Sequence, residues 1–403
     1  MEVEQGSVAM SIVRSNWWKL VVLLGLVPCC PCRGQVPSPR QPVSADRGNQ
    51  SIDQNASSTS LQSESAQARE ELERGTALTR QGRFQEAISH LLAARGRVGN
   101  EYALEFNLSL CYVGLGEYKK AIEVLDTLRR QGHENADVEN LLAQAFIGND
   151  NRSDALAALE RGAAISPQNE KLFTFVADAC TDNQDFELGL KVVEIGLRNL
   201  PQSARLHYER GQFLTQLDQF DRANADFELA RKLGHGSEIG YLSAAYENLL
   251  GGNITEAIRI AREGRKQGIQ NPALLVILGK ALLRSGIVPG QPEFVEAQDA
   301  LEKAVAQHPN DPASQIALGQ VYLLGGRLDD AIAHLEAARQ MRPDQPSIYA
   351  SLAKAYQRKG DAQRAQEALA KLESLNQAQA ERIRSAPGER KMSYGGSSSP
   401  SPQ

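Results

Sequence analysis

Residues 312–345 read PASQIALGQVYLLGGRLDDAIAHLEAARQMRPDQ. On either side of Gly325–Gly326, apolar residues recur three and four apart, the spacing of one face of an α-helix. Asp329 and Asp330 stand where the second helix would begin, and negative charge stabilises that end. Pro343 stands where it would stop, because proline has no amide hydrogen and breaks a helix interior. The stretch predicts two antiparallel helices, A and B, joined by a glycine turn. Gly319 and Ala331 supply the small surfaces that let two such helices approach closely.

The same 34-residue period extends through most of the chain. With Ala68 as position 1, the frames are 68–101, 102–135, 136–169, 170–203, 204–237, 238–271, 272–311, 312–345 and 346–379. Position 8 is Gly, Ser or Ala in all nine, from Gly75 to Ala353, and position 20 is Ala or Gly, from Ala87 to Ala365. Position 24 carries the bulky partner, including Leu91, Phe227, Leu301, Leu335 and Leu369. Position 11 is mostly large and apolar; Asn248 breaks it, with Leu249 beside it as the substitute. Gly82, Gly116, Gly252, Gly286, Gly326 and Gly360 share position 15, where helix A ends. Pro167, Pro201, Pro309 and Pro343 share position 32, where helix B stops. The 272–311 frame has six extra residues, expected over Ile287–Pro292 as a bulge in its A–B turn. One hairpin of this size cannot bury both its faces, so the frames must stack.

This pattern resembles the tetratricopeptide-repeat (TPR) family, and the 312–345 frame carries it most fully through Leu318, Gly319, Tyr322, Ala331, Ala338 and Pro343. The resemblance implies an all-α fold, a right-handed superhelical α-solenoid of about nine helix-turn-helix repeats. It also implies that positions 2, 5, 9, 12 and 13 of the A helices line a concave groove that holds a protein or peptide partner. By that implication the groove residues are Asn140, Gln144, Lys171, Asp178, Tyr208, Gln212, Tyr246, Lys280, Arg284, Lys354 and Arg358. Such a groove would be polar in its middle frames, apolar around Leu242 and Leu249, and basic toward the C-terminal end. A peptide with hydrophobic anchors and a carboxylate would match. Two blander readings stand beside this one: Leu249 and its neighbours as core, and the four cations as a solvated face. The family's chaperone adaptors clamp a terminal carboxylate with Lys at position 5 and Asn at position 9, and no frame here has either.

The composition leaves little room for other chemistry. A net charge of −5 provides no basic field for nucleic acid. The six histidines form no HExxH pair, and there is no GxSxG elbow, Walker loop or GxGxxG fingerprint. His207 replaces an apolar residue at position 4 and reads as packing. Cys111 and Cys180 lie two frames apart, about 20 Å for stacked helix pairs, beyond the reach of a disulfide. No catalytic residue, metal ligand or cofactor is expected.

The ends read differently. Leu20–Val27 is a short apolar run behind Arg14 and Lys19, too short for a comfortable span and suited to a secretory signal over 1–34, cleaved after Gly34. An uncleaved anchor over 17–28 is the alternative, and the residues before Cys29, Cys30 and Cys32 fit a lipidation signal poorly. Glu2 and Glu4 are awkward in such a segment, and a start at Met10 would remove both. Residues 35–67 and 380–403 are polar and poor in large apolar groups, so both are expected to be disordered. The expected function is a non-catalytic interaction scaffold, exported to the periplasm or cell surface and serving envelope or export assembly. The alternative is a receptor for a polysaccharide or other polymer, which would want stacked aromatics in the groove.

Overall fold

The computed structural model describes residues 52–385. The segment expected to be a signal or anchor, and the last residues of the expected tail, lie outside that range. Among the described residues the regular elements are eighteen α-helices and no strands, an all-α solenoid of helix-turn-helix repeats. The chain divides into two compact units, Met1–Asn253 and Ile254–Gln403. The first unit holds α1 (Ile52–Arg80), α2 (Phe84–Ala94), α3 (Glu101–Gly114), α4 (Tyr118–Arg130), α5 (Ala136–Gly148), α6 (Arg152–Ile165), α7 (Glu170–Asp182), α8 (Phe186–Asn199), α9 (Ala204–Gln216), α10 (Phe220–Leu233) and α11 (Glu238–Leu250). The second holds α12 (Ile254–Lys266), α13 (Pro272–Arg284), α14 (Pro292–Gln307), α15 (Pro312–Leu324), α16 (Leu328–Met341), α17 (Pro346–Lys359) and α18 (Ala362–Ser385).

Five A-helix starts follow the sequence period because the residue before them caps the helix. Asn135, Ser203, Ser237, Asn271 and Asp311 each close a frame, and their side chains accept hydrogen bonds from backbone amides in the first turn of the next helix. The Asn135 oxygen, for example, lies 3.0 Å from both the Asp137 and Val138 nitrogens. The A–B turns depend on left-handed backbone at position 15. Six frames meet that demand with glycine and three with Asp150, Gln184 and Asp218.

Packing within each hairpin follows the small-to-large pairing. A Cβ on Gly319 would lie 2.7 Å from Leu335 Cγ, and one on Gly279 would lie 2.4 Å from Leu301 Cγ. In the first unit, Gly75 abuts Leu91 and Gly211 abuts Phe227 in the same way. All four contacts join position 8 to position 24, where extra bulk would separate the helices. Cys111 and Cys180 are buried and free. Asn248 turns its amide to the Ala244 carbonyl at 2.8 Å, and the buried Leu249 takes the apolar role beside it.

Four expectations need correction. The six extra residues do not all bulge. Loop 285–291 is longer than the usual three-residue turn, but α14 also has 16 residues where its counterparts, the extended α18 apart, have 11 to 14, so the insertion is shared between loop and helix. Ile287 folds inward and is buried. The linker expected over 35–67 is helical from Ile52, and the tail expected from 380 is helical to Ser385. Both are extensions of packed helices, where each added residue gains a hydrogen bond without a new nucleation cost. Finally, Leu369 at position 24 is 42% exposed rather than core. Among the described residues no helix follows α18 to cover it; Ala365 and Ala368 make the contact with the hairpin partner instead.

Candidate functional site

Two A-helix faces carry the candidate residues, one in each unit. In the first unit, helices α5, α7, α9 and α11 present positions 5 and 9 in successive layers. Asn140 and Gln144 turn out to be interior. The Gln144 amide donates to Asn140 Oδ1, and Asn140 Nδ2 donates to the Leu172 carbonyl on α7 at 3.2 Å. Gln144 is 2% exposed, so this pair ties neighbouring A helices together rather than facing a partner. Tyr208 is also withdrawn. Its ring sits 5.8 Å from Phe227, Phe227 sits 4.9 Å from Tyr246, and its hydroxyl accepts from Gln212 Nε2 at 2.6 Å. Burial pushes the Tyr208 hydroxyl well above its usual range, so it stays a neutral phenol. The sequence pattern missed this because it assigns a face, and an aromatic at position 5 can fold down onto its own hairpin partner, here Phe227 of α10. Leu242 and Leu249 are likewise buried, in favour of the core reading.

Lys171 and Asp178 do face outward, and Gln212 and Tyr246 are half-buried. Beside them lies a residue the sequence reading passed over. Glu209 is 8% exposed and its Oε1 accepts from Arg205 Nε at 2.7 Å, while its Oε2 is buried without a partner. Burial pushes the Glu209 carboxyl up to about 8; Arg205 opposes this, and the negative charges of Asp178 and Glu170 add to it. The available signal was a glutamate at position 6, where the A helix packs against its neighbour.

In the second unit the face is cationic. Arg284 and Lys354 are exposed on α13 and α17, and Lys280 is half-buried on α13. Burial pulls the Lys280 ammonium below its usual value; Asp311 opposes the shift and Arg284 reinforces it. Arg358, expected to face a partner, also donates to the Leu323 carbonyl and so closes the C-terminal end of α15. On the same face Gln320 Nε2 donates to Ser351 Oγ at 3.3 Å, joining α15 to α17.

The remaining polar clusters are structural. His207 places Nδ1 2.9 Å from Asp226 Oδ1 and Nε2 3.1 Å from the Pro201 carbonyl. Arg210 adds two bonds to Asp226, at 2.6 and 2.8 Å. Gln315 Nε2 meets the Pro309 carbonyl at 2.6 Å, and the Tyr349 hydroxyl meets the Pro343 carbonyl at 2.8 Å. Position 4 thus repeatedly satisfies the carbonyl of the position-32 proline before it, a group otherwise left unpaired at the turn between frames. No group of three or more potential metal ligands occurs among the described residues.

Each unit is thus an array of helical hairpins with polar A-helix faces. A tetratricopeptide-repeat profile matches residues 78–145 and 291–335, a TPR-repeat profile matches 319–360, and a further tetratricopeptide-repeat profile matches 346–379. These matches, over 78–145 and 291–379, support a tetratricopeptide-repeat protein. No curated protein matches it. Solved structures resemble it more distantly. The TPR protein YrrB, described as having an unusual peptide-binding site, is 19% identical over 48% of this chain and 96% of its own, with a TM-score of 0.32. A tetratricopeptide repeat protein from Parabacteroides merdae is 18% identical over 64% of this chain and 99% of its own, with a TM-score of 0.45. The Cut9–Hcn1 hetero-tetramer of APC/C gives 15% identity over 75% of this chain and 59% of its own, with a TM-score of 0.47. The family's fold supports protein–protein interaction as the general role.

Proposed function

We propose that this protein is a non-catalytic scaffold that holds peptide or protein partners on the A-helix faces of its repeats. We further propose that it acts outside the cytoplasm, in envelope or export assembly. The observation that carries the first part is the contrast between two kinds of polar residue. His207, Gln315 and Tyr349 are consumed by the fold, whereas Lys171 and Lys354 stand exposed on their A helices. The export reading rests on Leu20–Val27 and its basic flank.

The test is a pull-down with the full chain from an envelope extract, beside a variant carrying Lys171→Ala, Asp178→Ala, Lys280→Ala and Lys354→Ala. Partners held by the parent and lost by a variant of unchanged helicity are the expected result. Equal capture by both would move the binding surface elsewhere. Export is tested by the mature N-terminus in the native host. Recovery of Gln35 supports cleavage after Gly34, and an intact N-terminus in the cytosolic fraction refutes export. The polymer-receptor alternative is the weaker one, because Tyr208, the central aromatic it would use, is withdrawn from the surface.

A further inference from the structure

The second unit repeats one charge pattern across its three consecutive A helices. Position 9 reads Lys280 on α13, Gln320 on α15 and Lys354 on α17. Position 13, one turn further on, reads Arg284, Leu324 and Arg358. Each row is cation, neutral, cation, so two dicationic poles flank a neutral strip on α15. Gln320 bonds to Ser351 across α15 and α17, which places this row along the seam between those helices. Leu324 is among the few large apolar side chains left exposed.

Within the α13 pole, Lys280 is poorly compensated. Lys280 is half-buried and belongs to no ion pair, and the neighbouring Arg284 repels it. Asp311 is the carboxylate that acts on it. Both Asp311 oxygens already accept backbone amides of α15, from Ala313 at 3.2 Å and Ser314 at 2.8 Å. A second anion brought to this spot would supply the missing charge-assisted bond.

We propose that this face binds an extended acidic peptide segment of a partner, with two carboxylates engaging the Lys280–Arg284 and Lys354–Arg358 poles and an apolar residue over Leu324. Packed helices lie about 8–10 Å apart, so two steps separate the poles by about 16–20 Å. Extended chain rises about 3.3 Å per residue, which sets the carboxylates about five or six residues apart. The proposal names the partner chemistry for one face of the scaffold and rests on that reading.

The experiment is fluorescence anisotropy with the full chain and three labelled synthetic peptides. One carries two aspartates about six residues apart with a leucine midway. The second replaces the aspartates with asparagines, and the third sets the aspartates side by side. The spaced acidic peptide is expected to bind at least about tenfold more tightly than either control, with an affinity that falls as salt rises. Lys280→Met and Lys354→Met are each expected to weaken it by about tenfold, and Lys191→Met, exposed on the B helix α8, is expected to leave it unchanged. Lys354 is exposed, so its variant reads binding even if Lys280→Met perturbs folding. Equal binding of acidic and asparagine peptides, no saturable binding of the spaced peptide, or parent-like affinity in Lys354→Met would each overturn the proposal. Capture of a natural partner equally by the parent and the Lys280→Met/Lys354→Met double variant would overturn it too, while leaving the scaffold reading intact.

Discussion

Substituting glycine at position 15 should stabilise the first unit wherever the native residue is not glycine. All nine frames hold left-handed backbone there, with φ from +57° at Asp150 to +85° at Gly360. The turn hydrogen bonds are the same in both classes. Asp185 N bonds to the Cys180 carbonyl at 2.9 Å behind Gln184, and Arg327 N bonds to the Tyr322 carbonyl at 2.9 Å behind Gly326. A left-handed L-residue costs roughly 1–2 kcal/mol, less for aspartate. Glycine returns about 0.5–1 kcal/mol of that through the unfolded chain. Gln184→Gly should therefore gain about 0.5–1 kcal/mol, and Asp150→Gly and Asp218→Gly rather less. The three turns lie in separate hairpins, so the gains should nearly add, to about 1–2 kcal/mol for the triple variant. Urea unfolding followed by circular dichroism would read this as a midpoint raised by about half a molar. The reciprocal change is Gly82→Gln, where a Cβ would meet nothing within 4 Å, so that strain alone should lower the midpoint. A midpoint that does not rise in Gln184→Gly would refute the claim that backbone strain outweighs glycine entropy at this turn.

Three further outcomes follow from named contacts. Glu209 holds its proton more tightly in the fold than in the unfolded chain, so its stabilising share is full below about pH 4.5 and is lost as pH rises through about 8. Glu209→Gln should remove that loss, and parallel melting-versus-pH profiles for parent and variant would contradict it. Gly319→Ala forces a Cβ to 2.7 Å from Leu335 Cγ and should cost about 1–3 kcal/mol in unfolding measurements, and adding Leu335→Ala, itself costly at this buried site, should cost less than the sum of the two single changes. Tyr349→Phe leaves the Pro343 carbonyl without its 2.8 Å bond and should cost about 1–3 kcal/mol; no change would mean that water replaces the hydroxyl.

The fold was legible because its determinants are local and recur at one spacing. Gly319 against Leu335 and Gly279 against Leu301 are the same contact, so an error in one frame is outvoted by the others. Features outside the register were harder to read. Asp150, Gln184 and Asp218 look like ordinary polar residues, yet they occupy the same left-handed turn as the glycines. The caps at Asn135, Ser203 and Asp311 were present in the sequence, but their role depends on knowing where each helix starts. Helix extension at Ile52 and Ser385 depends on propagation from a packed neighbour, which composition does not record.

The candidate site was legible only in part, because a helical position fixes a face and not an exposure. Lys280 and Gln144 share position 9, yet the first keeps its charge near the surface and the second folds into the interior against Asn140. The difference lies in the layer beside each. Gln144 stands one turn from Asn140, whose oxygen accepts its amide, and that pair reaches the Leu172 carbonyl of the next A helix. Lys280 has Arg284 one turn away on its own helix and an already occupied Asp311 nearby, so no group inside the fold draws it inward. Polar residues on a repeat face therefore sort by whether the neighbouring layer can complete their hydrogen bonds. Where it can, they become struts, as Asn140 has through the Leu172 carbonyl; where it cannot, they remain for a partner, and in the second unit those that remain are predominantly cations.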